Sequence, residues 1–249
     1  MRKELTSGGI PWLRLADPSR VGRVLGTIAL LLVLASVAGQ LFKYTTGHGR
    51  VFGLIPLLDL DREQNLPTFY STVLLVLASA IVAVIAALKR EGRDAYARHW
   101  LFLAIIFFFM AIDETAGFHE LTMHPMRSAL GSAAEGALFF AWVVPGAVVV
   151  LVVALWYLRF VLHLPPRTRN LVIAAAAIFV GGALGVELLE GQYAVQHGQL
   201  NLGYSMIATV QEGMEMAGVV VFIYSMLAYL HDLAPRVLVE IGSNARPQA

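Results

Sequence analysis

Six apolar runs, each long enough to cross a bilayer, constrain this chain more than any other feature: about 24–42, 67–88, 99–120, 136–161, 169–190 and 204–230. Inside hydrocarbon every backbone group must be bonded within its own segment, so runs of this length become helices. The expected fold class is all-α, a polytopic membrane bundle of six transmembrane helices. Composition agrees, because 58% of residues are hydrophobic and only 14% are charged, where soluble chains carry about 25% charge. No cysteine is present, which removes disulfides and thiolate metal sites from consideration.

Three regions are expected. Residues 1–23 read as a cytoplasmic amphipathic lead-in, with Ile10, Trp12, Leu13 and Leu15 suited to a headgroup interface. Residues 24–232 form a single six-helix transmembrane domain, and residues 233–249 a cytoplasmic tail. Ser36–Ala38 has the small-residue look of a signal-peptide cleavage site, but a signal anchor is the preferred reading. Fourteen of the Lys and Arg residues fall on the side of the termini and four (Lys43, Arg50, Arg62, Arg127) on the other. The positive-inside rule therefore puts both termini in the cytoplasm. Eleven of the 17 carboxylates lie in the outer half or outer loops, an arrangement that attracts cations.

The third run turns acidic at Ala111–His124, A-I-D-E-T-A-G-F-H-E-L-T-M-H. On one continuous helix, at about 100° per residue, Asp113, Gly117, Glu120 and His124 share a face while Glu114 and His119 point elsewhere. Ionisable groups in hydrocarbon cost roughly 2.5–3.5 kcal/mol each on insertion scales and normally face a protein interior or a watery cavity. Span five carries Glu187 and Glu190, and span six Glu212 and Glu215, both at i, i+3, with Gln211 four before Glu215. Gly181 and Gly185 suit close helix approach. Pro145 suggests a kink in the outer third of span four.

Before the second span, D-L-D-R-E-Q-N-L-P-T sets Asp59, Asp61 and Glu63 in alternation, with Asn65 as a helix cap and Pro67 in the first turn. The loop is no EF-hand, since Gln64 and Tyr70 stand where Gly and Glu would be needed.

Counting depth along each helix, the span-borne carboxylates share one layer in the outer half of the membrane. They cannot all stay ionised side by side. A metal, protons or basic partners must offset them, and no Lys or Arg lies in the outer halves of the spans. The leading expectation is one or two divalent metals (Fe, Mn, Zn or Ca) held by Asp113, Glu120, His124, Glu187, Glu190, Glu212 and Glu215. Asp59, Asp61, Glu63, Asn65, Glu114, His119 and Gln211 are assigned supporting or lid positions. Carboxylate-bridged di-metal bundles offer a partial parallel, but they use Glu-x-x-His twice, whereas this chain has Glu-x-x-Glu twice.

The motifs D-L-D-x-E-x-N-x-P-T-x-x-S (Asp59, Asp61, Glu63, Asn65, Pro67, Thr68) and D-E-x-x-x-x-H-E (Asp113, Glu114, His119, Glu120) resemble an uncharacterised group of bacterial multipass membrane proteins. The Glu pairs of spans five and six add to the resemblance, which covers roughly residues 24–230. It implies a bacterial inner-membrane location and carries no activity with it.

Three functions follow as expectations. The first is a metal centre facing the periplasm or exterior, serving an enzyme that acts on a lipid or membrane-soluble substrate. The second is a cation- or proton-coupled transporter, disfavoured by the near absence of ionisable residues in the inner halves. The third is an accessory subunit of a membrane complex. No nucleic-acid partner and no catalytic nucleophile are expected.

Overall fold

The computed structural model describes residues 17–233; most of the lead-in and the C-terminal tail lie outside them. Every regular element in this range is helical: α1 (Pro18–Thr46), α2 (Leu54–Leu58), α3 (Leu66–Glu91), α4 (Ala97–Ala116), α5 (Met123–Leu130), α6 (Val143–His163), α7 (Pro166–Val180), α8 (Glu187–His197) and α9 (Leu202–Leu233). A π-helical segment, Gly181–Val186, joins α7 and α8 into one span. Six helices are long and apolar enough to cross a membrane, and the protein is a multi-pass membrane protein. With six crossings, the start of α1 and the end of α9 share one side. Loop one, between α1 and α3, lies on the other.

Local chemistry sets the helix ends. At α1, Asp17 accepts the Ser19 N–H at 2.9 Å and Pro18 occupies the first turn; Gly47 closes the helix at φ 76°. Asn65 caps α3 as expected, accepting the Thr68 N–H at 3.2 Å, with Pro67 in the first turn.

The long helix α9 is the axis of the bundle, packed against α1, α3 and α7, while α3 and α4 form a second tight pair. Without a hydrophobic driving force between helices in lipid, close packing has to hold them. Gly218 shows how close: a Cβ there would sit 2.8 Å from the Cβ and backbone N of Phe179. Val148, Val149, Leu151, Val152 and Leu155 of α6 are exposed, as lipid-facing residues would be.

Several expected boundaries shift. The third span stops at Ala116, because Gly117 takes a left-handed conformation (φ 60°) and its N–H closes on Asp113 O at 2.7 Å. Asp113, Glu120 and His124 therefore do not share a helical face; Glu120 lies in a 3₁₀ turn (His119–Thr122) and His124 at the exposed start of α5. Pro125 sits inside the first turn of α5. Pro145 likewise falls in the first turn of α6, where no earlier carbonyl needs its missing N–H, so it marks a start and not a mid-helix kink. Of the two glycines expected at a helix contact, Gly181 does approach α9, where a Cβ would lie 3.3 Å from Met214 Cε, and Gly185 has nothing near it; the tightest approach is at Gly182, whose Cβ would meet Gln211 O at 2.9 Å and Met214 Cβ at 3.0 Å. The π segment begins at these glycines, and its wider turn rotates the register of the residues that follow, Gly185 included.

Candidate functional site

The break at Gly117 organises the loop-one end of the bundle. Having accepted the cap N–H through its backbone carbonyl, Asp113 turns its carboxylate onto the next segment: Oδ1 accepts the His119 backbone N–H at 2.9 Å, and Oδ2 lies 3.0 Å from His119 Nδ1. Thr122 Oγ1 donates to His119 O at 2.7 Å and tightens the 3₁₀ turn. His119, expected to point away from the main face, is thereby oriented by Asp113 and stands next to Glu120.

Loop one brings the third member. Its backbone is tied to α1, since Leu60 N–H donates to Ser36 Oγ at 3.2 Å, and Asn65 Nδ2 donates to Asp59 O at 2.6 Å. Gln64, at φ 58°, turns the chain sharply before the Asn65 cap. The three alternating acids separate as a result. Asp59 is buried and pairs with Arg62 at 3.5 Å, whereas Glu63 reaches across to the end of α4. Ligand atoms of Glu63, His119 and Glu120 all lie within 4.8 Å of one another, and among the described residues they are the only such group of three. Glu63 Oε1 and Glu120 Oε2 flank the space where a Cβ on Gly117 would stand, at 3.7 and 3.6 Å.

The group sets two carboxylates beside a single imidazole. Partial burial, reinforced by the Glu120 charge, pushes the Glu63 carboxyl up. Burial works against a charged His119, yet the hydrogen bond and charge of Asp113, with Glu120 and Glu63 behind them, raise its pKa overall. A histidine raised in this way contributes stability that is fully present below its ordinary value of about 6.5 and is lost as pH rises through the elevated value. The protein should therefore lose thermal stability as pH rises above about 6.5, and Asp113→Ala should flatten that loss. Melting curves from pH 6 to 9 in detergent check it.

Of the other expected ligands, the structure gathers the span-borne glutamates one layer deeper. Glu187 and Glu190 are buried on α8, and Glu212 and Glu215 are partly buried on α9. Together with Glu114 of α4 they lie within reach of one another's charge. Gln211 Nε2 donates to Glu215 Oε1 at 3.3 Å, and the Ser71 hydroxyl faces Glu114. The two layers are linked by Trp142, whose ring lies 4.8 Å from the His119 ring and whose Nε1–H donates to Glu187 Oε1 at 3.0 Å.

Sequence reasoning missed Trp142 and Tyr204, whose hydroxyl faces Glu190. Both lie just inside the loop-one end of a span, where amphipathic rings usually mark an interface, so nothing local distinguished them. His197 is paired with Tyr193 in a ring stack at 4.4 Å.

One histidine and two carboxylates, with Asp113 holding the histidine through Nδ1, make an N₁O₂ donor set. It is the pattern in which a metal-bound imidazole donates its other N–H to a carboxylate, and three protein ligands leave coordination positions open. A family model described as "Domain of unknown function (DUF8692)" matches residues 23–230. No curated protein and no solved structure matches the chain.

Proposed function

The chain belongs to this DUF8692 family, whose description carries no activity, and from the chain's own side chains we propose a membrane protein that holds a divalent transition metal at Glu63, His119 and Glu120. The observation that carries the reading is the convergence of those three ligand atoms within 4.8 Å beside an imidazole already oriented by a carboxylate. An imidazole with two carboxylates suits Zn, Mn or Fe better than Ca, which takes six to eight oxygens. The excess of Lys and Arg on the side of the termini supports a cytoplasmic placement of that end, with the metal group facing the periplasm or exterior of a bacterial inner membrane.

The preferred activity is that of a metal-dependent enzyme working on a lipid or other membrane-soluble substrate. A bound transition metal supplies Lewis acidity and, for bound water, a pKa near about 7. The chain's own contribution is positional: Asp113 fixes the His119 ring, and Gln64 and Asn65 deliver Glu63 to it. Exposed Phe118, Leu121 and Leu200 at the same end give an apolar chain somewhere to lie. A transporter reading is weaker because the bundle closes below the acids. Ile85, Val82, Trp100, Met216, Ile223 and Met226 are fully or almost fully buried, and Phe107 stacks on Phe222 at 4.4 Å.

Metal analysis of the purified full chain by mass spectrometry tests the assignment. About one equivalent of Zn, Mn or Fe is expected, falling below half in Glu63→Gln and Glu120→Gln while both variants keep their helical content. Wild-type protein that stays folded yet takes up no transition metal on titration would falsify the reading. Reconstituted vesicles should show no cation flux under an imposed gradient; sustained flux would return the case to a transporter.

A further inference from the structure

The four deeper carboxylates, Glu187 and Glu190 on α8 with Glu212 and Glu215 on α9, are held by a different chemistry from the outer group. Among the described residues the ion pairs are Asp59–Arg62, Lys89–Asp94, Asp113–His119 and His231–Asp232, so none of the four has a basic partner. The donors that reach them are neutral. Trp142 Nε1–H bonds Glu187, and the Gln211 amide bonds Glu215. Nor do any three of these acids bring oxygens within 4.8 Å of one another, so no single ion could be ligated by three of them as they stand.

Glu190 adds an independent observation. It is only 3% exposed, and its Oε2 is buried without a hydrogen-bond partner. Buried charge without a partner normally neutralises by taking up a proton. A protonated carboxyl also gains an O–H donor, which an ionised neighbour can accept.

We propose that Glu187, Glu190, Glu212 and Glu215 form a proton-binding site that holds at least one exchangeable proton at neutral pH and communicates only with the loop-one face. The groups facing it are Glu114 from α4, with Ser71 of α3 behind it, Asp61 from loop one, Tyr204 and Gln211 from α9, Trp142 before α6, and His119 from the 3₁₀ turn. His119 is the one basic side chain among them. Exchange is one-sided because Met216, Ile223 and Met226 of α9 are almost fully buried in the core below the acids, where Phe107 of α4 also stacks on Phe222 of α9. No member of this site is a ligand of the outer group, so the proposal stands without the metal.

Infrared difference spectroscopy of the full chain in lipid nanodiscs, in H₂O and D₂O, reads the carbonyl stretch of protonated carboxyls directly. A deuterium-sensitive band is expected at neutral pH, losing intensity in Glu190→Gln and in Glu215→Gln and persisting in His119→Ala, whose metal content drops separately. Absence of the band in the wild type, or an unchanged band in both folded Gln variants, overturns the proposal. Should the Gln variants fail to fold, Glu190→Asp keeps the acid and must shift the band; a band that does not move is equally fatal. In oriented vesicles a step in pH on the loop-one side must change the band and a step on the side of the termini must not. Response to the latter overturns one-sided exchange. A band without metal, or metal without a band, tells the failure of one site from that of the other.

Discussion

Asp113→Asn is expected to weaken transition-metal binding at the outer group by about 10–100-fold, the usual cost of losing the carboxylate behind a metal-ligating histidine. The size of the effect follows from the two bonds Asp113 makes. Its Oδ1 accepts the His119 backbone N–H at 2.9 Å, a role an Asn oxygen can keep. Its Oδ2, 3.0 Å from His119 Nδ1, fixes the ring proton on Nδ1 and leaves Nε2 as the acceptor that a metal needs. An Asn amide in that place presents N–H to Nδ1 and drives the proton to Nε2, so ligation has to reverse the tautomer. Competition titration with a chromophoric chelator measures the affinity. A change of less than about threefold would mean that the Asp113 carboxylate serves only to hold the His119 backbone N–H.

Trp100→Ala should cost on the order of 3 kcal/mol of stability, as truncations of large buried aromatics do, and should leave metal binding intact. Trp100 is 1% exposed and joins three helices: it meets Phe160 of α6 edge-on at 4.8 Å and stacks on Tyr229 of α9 at 5.3 Å. In lipid the loss is one of packing contacts rather than of burial from water, and the cavity lies near the terminal end of the bundle, a full helix length from His119. Thermal denaturation in detergent, read beside metal stoichiometry, checks both halves. A destabilised variant that also sheds its metal would show that the outer group depends on the packing of the whole bundle.

Paired, the two substitutions separate roles that a single activity assay would merge. One touches the half-buried end of α4 and changes chemistry; the other touches the closed half and changes stability. The closed half is also what distinguishes a one-sided site from a transport path, so Trp100→Ala vesicles are a natural control for flux.

Much of the loop-one end could be read from residues in a row. Asn65 and Pro67 declare a helix start wherever they stand together, because one caps an N–H and the other lacks it, and the structure places both as expected. Glu187 with Glu190, and Glu212 with Glu215, share faces because three residues nearly complete a turn. What misled was Gly117. On one continuous helix it shares a face with Asp113, Glu120 and His124, yet the absence of a Cβ lets it adopt φ 60° and end the helix. That one dihedral moves His119 from the wrong face to the centre of the outer group and leaves His124 outside it. Glu63 and Glu120 are 57 positions apart, and no periodicity connects residues across such a gap.

By itself, then, the sequence determined that this chain spans a membrane as helices, because unbonded backbone cannot survive in hydrocarbon, and that acids crowd one end of several spans. Only the tertiary structure decided which acids meet. Partnership across helices depends on where each helix stops and how it is rotated, and both were set here by single backbone events, the left-handed turn at Gly117 and the π segment at Gly181–Val186. Such events cost or gain little in local energy; the packing of the assembled bundle selects them.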